Sequence, residues 1–147
     1  MLSKISANTF RLRVYYEDTD AGGIVYHANY LRFTDRARTE FLRTCGIHQQ
    51  AYRKKTGVLF VVAKCSITYI ASARLDDLLD VVTTVSDVTP LRLVLSQEIF
   101  RRSQKVFTST VTLACIDGAE KAAPLPKDIK AILAPFVNNN SPLNKAT

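Results

Sequence analysis

Phe10-Arg-Leu-Arg-Val-Tyr-Tyr-Glu-Asp-Thr-Asp-Ala-Gly-Gly-Ile-Val-Tyr-His-Ala-Asn-Tyr30 changes its periodicity within one short stretch. Phe10, Leu12, Val14 and Tyr16 alternate with Arg11, Arg13 and Tyr15, the period-two pattern of a half-buried strand, so a first strand is expected to end near Glu17. Asp18-Thr-Asp-Ala-Gly-Gly23 follows, small and polar, and its adjacent glycines permit backbone geometry closed to bulkier residues. Beyond this loop Tyr30, Phe33, Ala37, Phe41 and Cys45 recur at intervals of three and four, with Arg32, Asp35, Arg36, Glu40 and Arg43 on other faces. The spacing predicts a helix between Tyr26 and Cys45, about 25 to 30 Å long and stopped at Gly46.

Downstream the chain reads mostly as strand. A short helical piece over His48 to Lys55 is expected to end at Gly57, followed by β-branched and aromatic runs at 58 to 72, 78 to 88, 91 to 102 and 104 to 117. Their breaks fall at Asp76-Asp77, Thr89-Pro90 and Arg102-Ser103-Gln104, which suits consecutive antiparallel hairpins or wider meanders. A last short helix is expected at Lys127 to Leu133, and residues 138 to 147 lack an apolar pattern and read as a frayed tail. Strand, loop, long helix and then four strands is an α+β order, whose economical architecture is an antiparallel sheet curled round one long central helix. A single domain is expected over residues 1–147, with its core at about 8–135. A sheet with few covering elements also invites pairing with a second copy.

Composition narrows the partners. The chain has 147 residues, 47% apolar and 22% charged, which is ordinary globular composition. No apolar run approaches the roughly 20 residues that cross a bilayer, and nothing at the start resembles a secretion signal. Cys45, Cys65 and Cys115 are odd in number and far apart, with no pattern of metal ligands. They read as reduced core thiols of a cytoplasmic protein, with no metal site. The net charge of +7 gives a field that attracts anions such as phosphate groups, nucleic acid, anionic lipid or an acidic carrier protein.

The run from Tyr15 to Tyr30, continued by Leu-Arg-Phe-Thr-Asp-Arg-Ala-Arg-Thr-Glu-Phe-Leu42, closely resembles the YbgC-type acyl-CoA thioesterases, relatives of the bacterial 4-hydroxybenzoyl-CoA thioesterase. The resemblance implies a hotdog fold and a CoA-thioester hydrolase acting as a homodimer or homotetramer. In that family the catalytic carboxylate is the Asp of the D-x-D-x-x-G-[IV]-V pattern nearest the glycines, which here is Asp20; the histidine of Y-H-x-x-Y matches His27. The 4-hydroxybenzoyl-CoA branch carries a different residue at the position of His27, which argues against that aromatic substrate. Short-chain or medium-chain acyl groups are favoured instead. Coenzyme A is part of the substrate, and no separate cofactor is implied.

Hydrolysis of a thioester needs a nucleophile or general base beside the carbonyl carbon and donors aimed at the oxygen that becomes negative. Asp20 can attack directly to give a mixed anhydride or deprotonate the attacking water. The first turn of the long helix has N–H groups without intrahelical partners and a favourable dipole, so N–H groups near Tyr26 and His27 are expected to hold the oxygen, with Gly22 and Gly23 allowing close approach. His27 is placed to protonate the departing thiolate or orient water. The competing readings are ordinary ones: Asp20 bonding its own turn, Asp18 and Glu17 organising the loop, Asn29 capping the helix, and His48 as a capping or surface residue.

The phosphates of coenzyme A call for Arg or Lys. Arg92, Arg101 and Arg102 are candidates from the strands, and Arg53, Lys54 and Lys55 from the second helical piece. Two other functions compete with hydrolysis. One is an interaction protein bound to acyl carrier protein or to the Tol-Pal envelope machinery, which the intact Asp20 opposes. The other is a basic nucleic-acid-binding domain, opposed by the lack of basic residues interleaved with exposed aromatics.

Overall fold

The first strand, β1 (Ala7–Arg13), pairs antiparallel with β3 (Leu78–Val88), and its Arg11 stands opposite Asp80. A computed structural model of the chain describes residues 7–137; the expected tail at 138–147 lies outside the described residues. β1 stops at Arg13 rather than near Glu17. Its partner runs out at Leu78, and the next residues turn in a 3-10 conformation over Tyr16–Asp18, where the Asp18 carboxylate accepts the Tyr15 N–H at 2.8 Å. A short acidic side chain thus offers the backbone a local bond in place of the ladder.

The long helix, α1, spans Asn29–Thr44. It begins later than its apolar spacing suggests: the chain first makes a turn at His27 and Ala28, with the Asn29 N–H on the Tyr26 carbonyl at 2.8 Å. At its other end Gly46 takes φ 85°, and Ile47 N–H reaches the Leu42 carbonyl at 2.8 Å. That left-handed residue closes the helix without strain because it has no Cβ. The second helix, α2 (Gln49–Thr56), ends in the same way at Gly57, φ 77°.

The remaining strands are β2 (Leu59–Tyr69), β4 (Leu93–Arg101), β5 (Gln104–Ile116) and the two-residue β6 (Ala122–Ala123), followed by α3 (Lys127–Leu133). The order across the sheet is β1-β3-β4-β5-β2, with β6 on β5. β3, β4 and β5 form the expected meander. Strand β2 departs from consecutive pairing: it lies beside β5, on the far side of the meander from β3. The connection from Ile70 to Asp77 must therefore cross three strand spacings, about 14 Å, which a stretched segment of that length spans easily.

The sheet curls round α1. Tyr30, Phe33, Ala37 and Phe41 are buried, and two apolar clusters divide the helix between them. Val14, Leu79, Val81, Ile99 and Phe107 surround its first half; Leu93, Leu95, Val111 and Leu113 surround its second. Burying each large side chain contributes about 2 kcal/mol relative to leaving it in water. Near the middle of α1 lies a fully buried polar residue, Gln97 of β4. Its amide donates to the Thr34 carbonyl at 2.8 Å and to Thr83 Oγ1 at 3.0 Å, and its Oε1 accepts from Arg38 at 3.0 Å. Burial in this setting lowers the pKa of the Arg38 guanidinium.

One cysteine expectation needs correcting. Cys115 is buried and Cys45 half-buried, and burial pushes both thiols up, Cys115 to about 11. Cys65, in contrast, is exposed. It sits in the middle of β2, an edge strand none of whose residues is buried, so the side chains that alternate onto its helix side stay open there among the described residues.

Candidate active site

The loop after β1 is a tight hairpin. Thr19 bridges Val25, Asp20 N–H reaches the Ile24 carbonyl at 2.9 Å, and Gly23 N–H returns to the Asp20 carbonyl at 3.0 Å. Gly23 adopts φ 78° at the turn. The Gly22 N–H donates to Asp20 Oδ1 at 2.8 Å, and a Cβ added at Gly22 would lie 3.1 Å from that oxygen. The glycine therefore holds one carboxylate oxygen and leaves the other free for a second partner. Asp20 itself is exposed at the tip.

The hairpin is pinned to the helix and to the β2–β3 connection. The Asp18 carbonyl accepts both the Tyr26 N–H and Asn29 Nδ2, each at 2.9 Å. Asn29 thus ties loop to helix instead of capping it, and no side chain caps α1. Val25 N–H donates to the Ala73 carbonyl at 2.8 Å, and Ile24 bridges Arg74. Glu17 is exposed, and Asp18 acts on the loop as expected. His48 precedes α2 with no capping bond from its side chain, which leaves it a surface residue.

An open cleft of about 260 Å³ lies between the hairpin, the start of α1 and the end of β2. Ile24, Val25, His27, Tyr30, Tyr69 and Ser72 are among its walls. Asp20 does not line it within this chain; it stands across the hairpin from Ile24, which does. Sequence reasoning missed Tyr69. Its hydroxyl donates to the His27 carbonyl at 2.8 Å, and its ring packs against Tyr30 and Phe107. The available signal was the alternation of Cys65, Ile67 and Tyr69 along β2, which puts Tyr69 on the helix side, opposite buried Phe107. Tyr30 stacks on Phe107 with ring centroids 5.1 Å apart, and its hydroxyl accepts the Ala73 N–H at 3.3 Å; burial raises its pKa.

The expected oxyanion donors divide. The N–H of Tyr26 is engaged by Asp18, those of Gly22 and Gly23 by Asp20, so none of the three is available to a substrate oxygen in this geometry. The N–H groups of His27 and Ala28 donate to no backbone carbonyl among the described residues. They stand at the positive, N-terminal end of α1, where His27 and Tyr30 line the cleft. The His27 ring is exposed beside Tyr26, ring centroids 4.5 Å apart.

The basic candidates do not form one cluster. Arg92 and Arg101 flank opposite ends of β4, about 30 Å apart along an extended strand. Arg101 lies at the cleft end, but it is bound to the Ser72 carbonyl at 2.6 Å, to Asp77 at 3.3 Å and to Gln104 at 2.7 Å, which closes the β4–β5 hairpin over the β2–β3 connection. Arg102 turns that hairpin at φ 57° and is exposed. Arg53, Lys54 and Lys55, all exposed, end α2 at the other extreme of the molecule. Among the described residues no His, Cys, Asp and Glu cluster suits a metal ion, and no helix is long and apolar enough to cross a membrane.

Residues 14–133 match the model of the thioesterase-like superfamily. The acyl-CoA thioesterase YbgC of Haemophilus influenzae is 47% identical over 124 residues, covering 84% of this chain and 91% of that protein. The acyl-CoA thioester hydrolase YbgC of Escherichia coli O157:H7 is 44% identical over 122 residues, covering 82% and 90%. Among solved structures, a probable thioesterase from Bartonella henselae superposes with a TM-score of 0.79 at 34% identity, over 82% of this chain and 100% of that one.

Proposed function

The chain belongs to the thioesterase-like superfamily and to its YbgC branch, as a hotdog-fold acyl-CoA thioester hydrolase, and we propose that Asp20 drives hydrolysis of short-chain or medium-chain acyl-CoA to free acid and CoASH. The observation that supports this reading is the hairpin itself: Asp20 is held by Gly22 with one carboxylate oxygen free, across the hairpin from a cleft lined by His27, and the N–H groups of His27 and Ala28 have no backbone acceptor among the described residues. The thioester carbonyl lies in that cleft with its oxygen toward these two amides, which stabilise the negative charge that develops on it. Losing one such donor typically raises the barrier by about 3 kcal/mol. Asp20 acts as the nucleophile or as the general base toward water, and His27 stands beside the departing thiolate. This assignment keeps the expected amide of His27 and replaces that of Tyr26 with that of Ala28.

The working unit is a homodimer joined through β2, or two such dimers. An edge strand of 11 residues with exposed Val62, Cys65 and Tyr69 is a template for pairing with its own copy. Such a copy would close the cleft and cover the exposed Asp20. The net charge of +7 also suits delivery of the acyl group by an acidic carrier protein, and the unpaired cysteines fit a reducing cytoplasm. Hydrolysis of acetyl-, butyryl- and longer acyl-CoAs, and of the same acyl groups on carrier protein, tests the reading: turnover that peaks at short or medium chains supports it, and no turnover of any CoA ester refutes it.

A further inference from the structure

Ala73, fully buried in the β2–β3 connection, is bonded to both halves of the site. Its carbonyl accepts the Val25 N–H of the hairpin at 2.8 Å, and its own N–H donates to Tyr30 Oη of α1 at 3.3 Å. The next residue, Arg74, bridges Ile24, whose carbonyl accepts the Asp20 N–H at 2.9 Å. Together with the bonds to the Asp18 carbonyl, these contacts set where Asp20 stands relative to the His27 and Ala28 amides.

The segment that carries Ala73 has no ladder of its own. Ile70 and Ala71 still donate to the Val106 carbonyl of β5, but residues 72–77 belong to no strand. Arg13 and Val14 hold its far end, at Asp76 and Asp77. Arg101 joins that end to the near one: its Nη1 donates to the Ser72 carbonyl at 2.6 Å and to Asp77 Oδ2 at 3.3 Å, while Nη2 is anchored on Gln104 Oε1 at 2.7 Å. Asp77 Oδ2 also accepts the Arg74 N–H at 2.8 Å, so one guanidinium grips the chain on both sides of Ala73 and Arg74. The planar fork of an arginine suits this use, since its donors point in fixed directions. The Arg101 and Asp77 side chains keep exposures of 28% and 25%, so water screens the pair and its attraction adds little to stability. What the pair fixes is geometry.

On the thioesterase reading given above, we propose that Arg101 is a positioning residue for the reaction: by clamping Ser72 and Asp77 it fixes the segment on which the Asp20 hairpin docks, without touching substrate. This role replaces the phosphate ligand that the sequence suggested for Arg101. The two roles act on different kinetic constants. A ligand of the coenzyme A phosphates binds ground state and transition state alike and acts on KM, whereas a group that aligns Asp20 with the thioester acts on kcat.

Steady-state hydrolysis of butyryl-CoA by Arg101→Gln, alone and combined with Asp20→Asn, tests the proposal. Arg101→Gln should lower kcat about tenfold and leave KM within about twofold of native. Arg101→Lys should recover part of the loss, because an ammonium can reach one of the acceptors but cannot reproduce the fork. Placed on Asp20→Asn, the same Arg101→Gln change should lower the residual kcat less than about twofold, since the group it positions is already gone. A merely structural role would keep its full effect in that background, and such a result overturns the proposal. So does a KM raised about tenfold at native kcat, which would make Arg101 a phosphate ligand, and so do native constants in Arg101→Gln. Each of these leaves the thioesterase reading standing, whereas a native protein that turns over no CoA ester refutes that reading instead. If Arg101→Gln folds poorly, Gln104→Ala, at an exposed position, releases only the anchor of Nη2 and is read in the same way: kcat lowered about threefold at native KM supports the clamp, and native kcat overturns it.

Discussion

The amide of Gly22 donates to Asp20 Oδ1 at 2.8 Å, and a Cβ at Gly22 would sit 3.1 Å from the same oxygen. Gly22→Ala therefore leaves the backbone free to fold but pushes the carboxylate by a few tenths of an ångström. A displacement of that size at a reacting group is costly to rate and nearly invisible to stability. The expected result is a fall in kcat of about tenfold with a melting temperature close to native, read by steady-state kinetics and thermal denaturation.

Tyr69→Phe removes the hydroxyl that holds the His27 carbonyl while keeping the ring against Tyr30 and Phe107. The bond is partly exposed, so its loss should cost no more than about 1 kcal/mol of stability. Its effect should appear in kcat, lowered several-fold, because His27 is the residue whose N–H is proposed to hold the substrate oxygen. Unchanged kcat would assign Tyr69 to the wall of the cleft alone.

Gln97→Leu tests what joins the two halves of the core. The replacement takes the Gln97 donor from the Thr34 carbonyl and Thr83 Oγ1 in a buried place, and takes the acceptor of Arg38 Nη1, whose Nη2 keeps Asp35. Destabilisation of about 3 kcal/mol is expected, seen as a lower urea midpoint with unchanged slope.

Tyr52 ties α2 to α3 by donating to Asp128 at 2.7 Å. Burial, then the bond and charge of Asp128, push its pKa from 10.0 to about 12. The neutral phenol is the favoured form, so its contribution is complete below pH 10 and is lost as pH rises toward 12. Asp128 shifts in the opposite direction, chiefly through the same bond, so its contribution is present above the ordinary carboxylate range and is lost as pH falls below it. Tyr52→Phe should flatten the pH dependence of the melting temperature in both windows.

Most of the fold is readable in the sequence because its signals are local. The change from alternation at Phe10 to Tyr16 to helical spacing at Tyr30 to Cys45 marks a strand followed by a helix, and the breaks at Asp76, Pro90 and Arg102 mark the strand ends. The pairing of β2 with β5 is not readable, since it depends on where a long connection carries the chain. The exact donors at the helix start are not readable either: whether Tyr26 or His27 keeps a free amide depends on the Asp18 carbonyl, a tertiary contact. Cys65 was misjudged for a related reason, because alternation reveals which residues share a face and not what covers it.

Replacing Asp20 by Asn keeps the size of the side chain and its bond from Gly22 while removing the carboxylate charge. Hydrolysis of butyryl-CoA by the pure variant, with folding and oligomeric state checked against the native protein, is the most direct measurement of what drives the reaction. The expected kcat is lower by at least about 100-fold. A variant that turns over at the native rate would show that the chemistry is done by another group.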